Sequence, residues 1–142
     1  MREVALTWEE ATLEQTDLAE LLSVVENFNI VANLLITNEG VRQVILPTYK
    51  QGKSAEDLDK ISYLTVEQSF SDREEGALVV WNTHALVCLA SSTDNIHVMP
   101  PATLEDGKLT LTVRGLPAAI STFVKMSTVS YTHLTLPTTN SV

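Results

Sequence analysis

The chain has 142 residues, of which 44% are apolar, and its 18 Asp and Glu against 9 Lys and Arg give a formal charge of −9. This composition is typical of one soluble globular domain and excludes a disordered or fibrous chain. Because a phosphate backbone repels an acidic surface, we expect no nucleic acid to be bound by this stretch. No apolar segment approaches the roughly 18–20 residues that span a bilayer, so no membrane partner is expected.

Cysteine usage and the first residues predict a cytoplasmic location. Cys88 is the only cysteine, so no internal disulfide is possible, as is usual in a reducing compartment. Residues 1–10 carry three glutamates and one arginine and have no apolar core of signal-peptide length. We therefore expect no secretion signal.

The first half of the chain predicts a strand followed by a helix. Residues 4–8 alternate apolar and polar side chains, which is the period of a strand with one buried face. Five apolar residues then recur at helical spacing and predict a helix over residues 18–28; they are Leu18, Leu21, Leu22, Val25 and Phe28.

A hairpin and a short capped helix are predicted next. The runs 30–36 and 41–46 are rich in β-branched residues and flank a connection that contains Gly40. Pro47 is expected to end the second strand. Ser54 with Asp57 three residues later has the spacing of a capping box, and residues 61–70 indicate a further strand.

The second half predicts more strands and one helix. Residues 77–81 and 84–90 are apolar runs, as expected for strands covered on both faces. Residues 96–99 predict a strand that Pro100 and Pro101 force out of the sheet. The dipeptide at 106–107, Asp-Gly, is a strong turn signal before an alternating strand at 109–113, and Pro117 favours the start of a helix with Ile120, Phe123 and Val124 on its buried side.

These elements together predict an α+β fold. The order β-α-β-β-α-β, followed by more strands and a helix, is typical of a mixed or antiparallel sheet with helices packed on one face. In its first half this order is ferredoxin-like. The glycines are too scattered for a phosphate-binding loop, so we expect no nucleotide cofactor and assign no cofactor.

Two histidines, one thiol and one carboxylate lie close together in sequence. His84, Cys88, Asp94 and His97 are the residue types that ligate zinc, but their spacing matches no zinc motif. A nucleophilic pair of Cys88 and His84 is a second alternative, although an extended strand would keep them too far apart. A lone cysteine among Leu and Val is more often a core residue. We therefore assign no metal ligand and no catalytic residue.

Residues 81–124 carry a family resemblance. The run WNTHALVCLASSTDNIHVMPPATLEDGKLTLTVRGLPAAISTFV has an NTH element, a small-residue bend at Ser91 and Ser92, the link at Pro100 and Pro101, and the strand GKLTLTVRG before a helix. It resembles the N-terminal regulatory domain of archaeal transcription regulators of the bacterio-opsin-activator type. The resemblance implies an α+β input domain that precedes a DNA-binding helix-turn-helix. No such segment is recognisable in this sequence.

The last residues differ in composition from the rest. Residues 129–142, VSYTHLTLPTTNSV, contain no Asp, Glu, Lys or Arg. The string resembles translated sequencing-adaptor read-through at the ends of metagenomic reading frames. We therefore expect one regulatory or ligand-binding domain over 1–128, a disordered or artefactual tail over 129–142, and a natural chain that continued further. The alternative is an added edge strand in which Tyr131, Leu134 and Leu136 alternate.

Two classes of function follow from these observations. The first is a non-enzymatic sensory or regulatory domain that binds a small molecule or forms a homodimer and belongs to a transcription regulator. The second is a self-standing small enzyme or metal-binding protein that uses the region of His84, Cys88 and His97, or a structural interaction domain. The candidate ligand-binding residues are His84, Cys88, His97, Trp81 and Arg114.

Overall fold

The computed structural model describes residues 1–70, 76–130 and 138–141. Its strands are β1 (Arg2–Trp8), β2 (Val25–Ile36), β3 (Val41–Tyr49), β4 (Leu64–Phe70), β5 (Ala77–Asn82), β6 (Ile96–Glu105), β7 (Lys108–Gly115) and β8 (Thr138–Ser141). Its helices are α1 (Glu10–Leu13), α2 (Leu18–Leu22), α3 (Ala55–Asp59), α4 (Ala85–Ser92) and α5 (Pro117–Ser130). Among the described residues, none of these helices has the length and apolar character needed to cross a membrane.

The described strands form one sheet in the order β4-β5-β3-β2-β6-β7-β1-β8, with antiparallel neighbours throughout. The predicted α+β fold with an antiparallel sheet is thus confirmed. The strands of the first half do not pair with one another in a ferredoxin-like order, however. β1 lies between β7 and β8, because its alternating face matches that of β7 along its whole length.

Helices cover one face of the sheet. Each helix contributes to a single apolar core against the sheet, through Leu13, Leu18, Leu21, Leu58, Leu86, Ala90, Ile120 and Phe123. Arg42 pairs with Glu67, and Arg114 with Glu3, through side chains that stay partly exposed. Burial of apolar side chains on one side only explains the clean alternation along β1 and β7.

Several local predictions are confirmed. The hairpin of β2 and β3 forms, and Ser54 caps α3 in a capping box with Asp57. Asp106 and Gly107 both have positive φ, of 51° and 77°, in the two-residue turn between β6 and β7. This geometry matches the right-handed twist of the flanking strands and favours glycine.

The helix predicted over residues 18–28 is too long. α2 ends at Leu22, and Val25 and Phe28 belong to β2, where Phe28 lies opposite Pro47 on one side and Leu104 on the other. Phe28 is buried in this strand as it would have been in a helix. Pairing with two neighbouring strands satisfies the backbone groups of this segment, and it outweighs the helical spacing.

The strand predicted over residues 84–90 is a helix instead. α4 begins after His84, whose side chain accepts a hydrogen bond from the Leu86 backbone N–H. A short apolar run does not distinguish a covered strand from a buried helix by its periodicity. Here the cap at His84 and the burial of Leu86 and Ala90, four residues apart, match a helix.

Prolines do not end the strands as predicted. β3 continues through Pro47 to Tyr49, because its ladder to β5 already ends at Ile45 and a proline is tolerated where one side of a strand is free. β6 continues through Pro100 and Pro101 to Glu105, with an irregularity in its pairing to β7 between Met99 and Thr103.

Residues 138–141 form an edge strand. β8 pairs with β1 through four residue pairs, from Val4 opposite Ser141 to Thr7 opposite Thr138. Tyr131, Leu134 and Leu136, whose alternation suggested a strand, lie outside the described residues. Whether residues 129–142 are an addition to the natural chain stays a prediction.

The core position of α5 predicts a large cost for removing its central aromatic ring. Phe123 has an exposed fraction of 0%, whereas Met126 on the same helix is 45% exposed. We expect Phe123→Ala to lower the free energy of unfolding by about 3–5 kcal/mol in urea titrations, because it leaves a cavity. Met126→Ala is the matched control and should cost less than about 1 kcal/mol. Similar losses in both variants would contradict the packing of α5 on the sheet.

Candidate functional site

A cavity of about 290 Å³ lies between the sheet and two of the helices. Phe28, Val41, Leu104 and Leu111 line it from strands β2, β3, β6 and β7. Helix α2 contributes Leu18 and Leu21 to its lining, and α4 contributes Leu86, Val87 and Ala90. Most of its lining is therefore apolar, as in sites that bind small organic molecules.

The cavity lies where the ladder between β2 and β6 ends. Ile30 opposite Ala102 is the last pair of this ladder, and Pro101 and Pro100 come next in β6. A proline has no backbone N–H, so neither residue can donate to β2. Beyond this point β2 stays paired with β3 and β6 with β7, and the cavity lies where the two pairs separate. Ile36, which is 57% exposed, also lines the cavity.

A chain of hydrogen-bonded amide groups forms the polar part of the lining. The His84 backbone N–H donates to Asn82 Oδ1 at 2.9 Å, and Asn82 Nδ2 donates to Gln43 Oε1 at 3.1 Å. Gln43 Nε2 in turn donates to Asn33 Oδ1 at 3.2 Å. All four residues line the cavity. We call Asn33, Gln43 and Asn82 the amide chain.

His84 is held at both ring nitrogens. The Leu86 backbone N–H donates to Nδ1 at 3.1 Å, so Nδ1 carries no proton, and the proton lies on Nε2, which donates to Asp17 Oδ1 at 2.8 Å. The Tyr63 ring meets the imidazole edge-on at 4.8 Å, and the Tyr63 hydroxyl donates to the Asp17 carbonyl oxygen. Burial lowers the pKa of His84 below its ordinary value of 6.5 and outweighs the opposing effect of Asp17. His84 is therefore a neutral, structural group.

The structure brings only part of the predicted ligand-binding set together. His84 and His97 line the cavity, with His84 buried and His97 exposed on β6. Cys88, Trp81 and Arg114 do not line it. Trp81 instead lies under the Arg42 guanidinium, 5.6 Å from the ring centre, and Arg114 pairs with Glu3.

The geometry around Cys88 does not match an activated nucleophile. Its Sγ contacts the carbonyl oxygens of Glu39 at 3.4 Å and Thr83 at 3.6 Å. Burial raises the pKa of the thiol, which disfavours the thiolate. Helix α4 brings Cys88 within one turn of His84, contrary to the extended geometry expected, yet the imidazole is engaged by Asp17 and Leu86.

The zinc alternative is not favoured by the structure. Within residues 1–70, 76–130 and 138–141, no group of three or more His, Cys, Asp or Glu side chains is arranged to hold a metal ion. His84 uses both ring nitrogens in hydrogen bonds, and His97 lies on β6 opposite Arg114. His84 precedes α4 and His97 lies in β6, so the two imidazoles belong to different elements of the fold.

The sequence did not predict the amide chain or the contacts of Asp17 and Tyr63 with His84. A signal for Gln43 was present, because it lies two residues from both Val41 and Ile45 and therefore shares the buried face of a predicted strand with them. A polar side chain at a buried position requires hydrogen-bond partners. The pairing of Asp17 with His84, 67 residues apart, has no local signal.

Comparison with known proteins found no match among family models, curated proteins or solved structures. The resemblance of residues 81–124 to regulators of the bacterio-opsin-activator type thus stays a prediction.

Burial of neutral His84 predicts a pH-dependent stability. Since its folded-state pKa is lowered, the unfolded chain takes up a proton near pH 6.5 that the folded chain does not. The free energy of unfolding should therefore be highest above pH 6.5 and decrease as the pH falls below it. Urea titrations between about pH 8 and pH 5.5 measure the slope of the free energy of unfolding against pH.

The matched variants are His84→Asn and His97→Asn. Asparagine keeps a capping oxygen before α4 but does not titrate, so His84→Asn should lose most of the slope whatever its absolute stability. His97 is exposed, and His97→Asn should keep the wild-type slope. The pH dependence would not come from His84 if the slope were lost in His97→Asn and kept in His84→Asn.

Proposed function

We propose that this chain is a non-enzymatic sensory domain that binds a small molecule between the sheet and helices α2 and α4. The observation that carries the proposal is the cavity of about 290 Å³. Ligand sites have volumes from about 300 Å³ upward, with apolar walls and a few placed polar groups. The apolar lining and the amide chain match that description.

The engagement of the reactive side chains supports a binding role over catalysis. His84 accepts from Leu86 and donates to Asp17, so its ring has no nitrogen left for acid–base chemistry on a ligand. Cys88 does not line the cavity, and its thiol lies against two carbonyl oxygens. A nucleophile needs a base within hydrogen-bond reach, and this pair does not supply one.

Helix α4 offers a route from the cavity to the rest of the molecule. Leu86, Val87 and Ala90 of α4 line the cavity, and α4 packs against α5. A ligand that contacts α4 would favour one position of α4 relative to α5 over others. In the proposal, α5 carries the response to the ligand.

We further propose that this sensory domain is the input domain of a cytoplasmic transcription regulator. Support comes from the resemblance of residues 81–124 to such input domains. DNA binding would belong to a helix-turn-helix segment outside these 142 residues, since the net charge of −9 disfavours DNA binding by the domain itself.

Homodimer formation is part of the same proposal. Beyond Ile30, β2 has β3 as its ladder partner within the described residues, and its other edge is open. Its apolar side chains are exposed there: Val31 by 38%, Leu34 by 56%, Leu35 by 45% and Ile36 by 57%. An open edge with exposed apolar residues favours pairing with another strand.

Naphthalene tests whether the cavity binds an apolar molecule. We expect saturable shifts of the Ala102 methyl resonance when naphthalene is titrated into the full chain, because Ala102 lines the cavity. Ala90→Phe should abolish these shifts, since Ala90 lines the cavity from α4 and the new ring would fill it. The matched control is Ala118→Phe on α5, where the alanine is exposed. Shifts that are absent in the wild type, or equal in both variants, would refute the binding site.

Sequencing of the natural locus tests the transcription-regulator part. We expect the reading frame to continue beyond the codon for Thr128 into a basic segment with a helix-turn-helix pattern, because an input domain acts through an output domain. A stop codon close to Thr128 would contradict this part and leave the ligand-binding site to be judged by the naphthalene titration.

A further inference from the structure

The amide chain has a fixed direction. A backbone N–H can only donate, so the His84 N–H requires the oxygen of the Asn82 amide to face it. The Asn82 nitrogen must then face Gln43 and meet an oxygen, which turns the Gln43 nitrogen toward Asn33. The Asn33 oxygen accepts that bond. The polarity of one backbone group is thus carried to the far end of the chain.

The far end of the chain is a hydrogen-bond donor. Asn33 Nδ2 donates no hydrogen bond to any described residue, while Asn33 lines the cavity. Its two N–H groups are therefore available to a molecule in the cavity. A donor of this kind recognises an acceptor, such as the oxygen of a ketone, ester or amide.

The buried walls of the cavity provide no counter-charge for an ionised ligand. None of the described residues that line it is Asp, Glu, Lys or Arg, and of its two histidines His97 is exposed on β6. His84 is neutral, because its Nδ1 accepts a hydrogen bond and burial disfavours its protonation. An ion without a partner is costly to bury, and the net charge of −9 adds to this cost for an anion.

The volume limits the size of the ligand. A dry cavity of about 150 Å³ in another protein holds benzene, so a cavity of about twice that volume fits roughly a dozen non-hydrogen atoms. A bicyclic or short branched molecule has this size. The few polar groups in the lining allow one or two polar atoms in such a molecule.

We infer that the ligand is an uncharged, mostly apolar molecule of bicyclic size whose carbonyl-type oxygen accepts a hydrogen bond from Asn33. This inference rests on the proposed ligand-binding function and specifies its chemical class. It also assigns Asn33, which no sequence signal marked, as the residue that determines specificity.

Three naphthalene derivatives with equal numbers of non-hydrogen atoms test the inference. 2-Acetylnaphthalene is neutral and has a carbonyl acceptor, 2-isopropenylnaphthalene has none, and 2-naphthoate is an anion at neutral pH. Dissociation constants come from titrations of the full chain followed at the Ala102 methyl. We expect 2-acetylnaphthalene to bind about 3- to 10-fold more tightly than 2-isopropenylnaphthalene. It should bind at least about 10-fold more tightly than 2-naphthoate.

Two asparagine variants on β2 separate the role of Asn33 from general effects. Asn33→Leu should abolish the preference for 2-acetylnaphthalene over 2-isopropenylnaphthalene and change the affinity for the latter by less than about twofold. Asn27→Leu is the matched control, because Asn27 lies on β2 but does not line the cavity, and it should keep the wild-type preference.

Each outcome bears on one of the two proposals. Binding of 2-naphthoate as tight as that of 2-acetylnaphthalene, or a preference that persists in Asn33→Leu, would overturn the inferred ligand class and leave the binding function standing. Failure of all three compounds to bind the wild type would overturn the proposed function itself. The wild-type comparison decides the ligand class even if Asn33→Leu fails to fold.

Discussion

Pro100 and Pro101 lie where β6 would otherwise go on pairing with β2. The two strands share four residue pairs, from Asn27 opposite Glu105 to Ile30 opposite Ala102, and the ladder stops where the prolines begin. Without a backbone N–H at these two positions, further pairing would leave carbonyl groups of β2 without donors. The two parts of the sheet are therefore joined by a short ladder, and the cavity lies beside the point where they diverge.

Helix α4 lines the cavity beside the point where the two parts of the sheet diverge, and its N-terminal end has a second role. Its first turn is capped by the His84 side chain, and the same ring donates to Asp17, which immediately precedes α2. The ring thus connects the starts of the two helices that line the cavity. Because the His84 backbone N–H also sets the direction of the amide chain, the position of α4 and the polarity of the cavity depend on one residue.

The amide chain is stable because its members satisfy one another. A buried amide without partners costs free energy, whereas Gln43 and Asn82 each donate and accept within the chain. Such a chain specifies one arrangement, since reversal of any amide would place two donors or two acceptors face to face. Rigid walls of this kind keep a binding site preorganised and reduce the ordering cost of ligand binding.

Local chemistry in the sequence determined the α+β class, the hairpin of β2 and β3, the capping box at Ser54, and the turn at Asp106 and Gly107. Each of these depends on residues within a few positions of one another. Tertiary structure alone decided that Val25 and Phe28 join a strand, that residues 85–92 form a helix, and that β6 passes through two prolines. The candidate site belongs to this second group, because the contact of Asp17 with His84 and the amide chain join residues from distant segments, and their partners exist only once the sheet has formed.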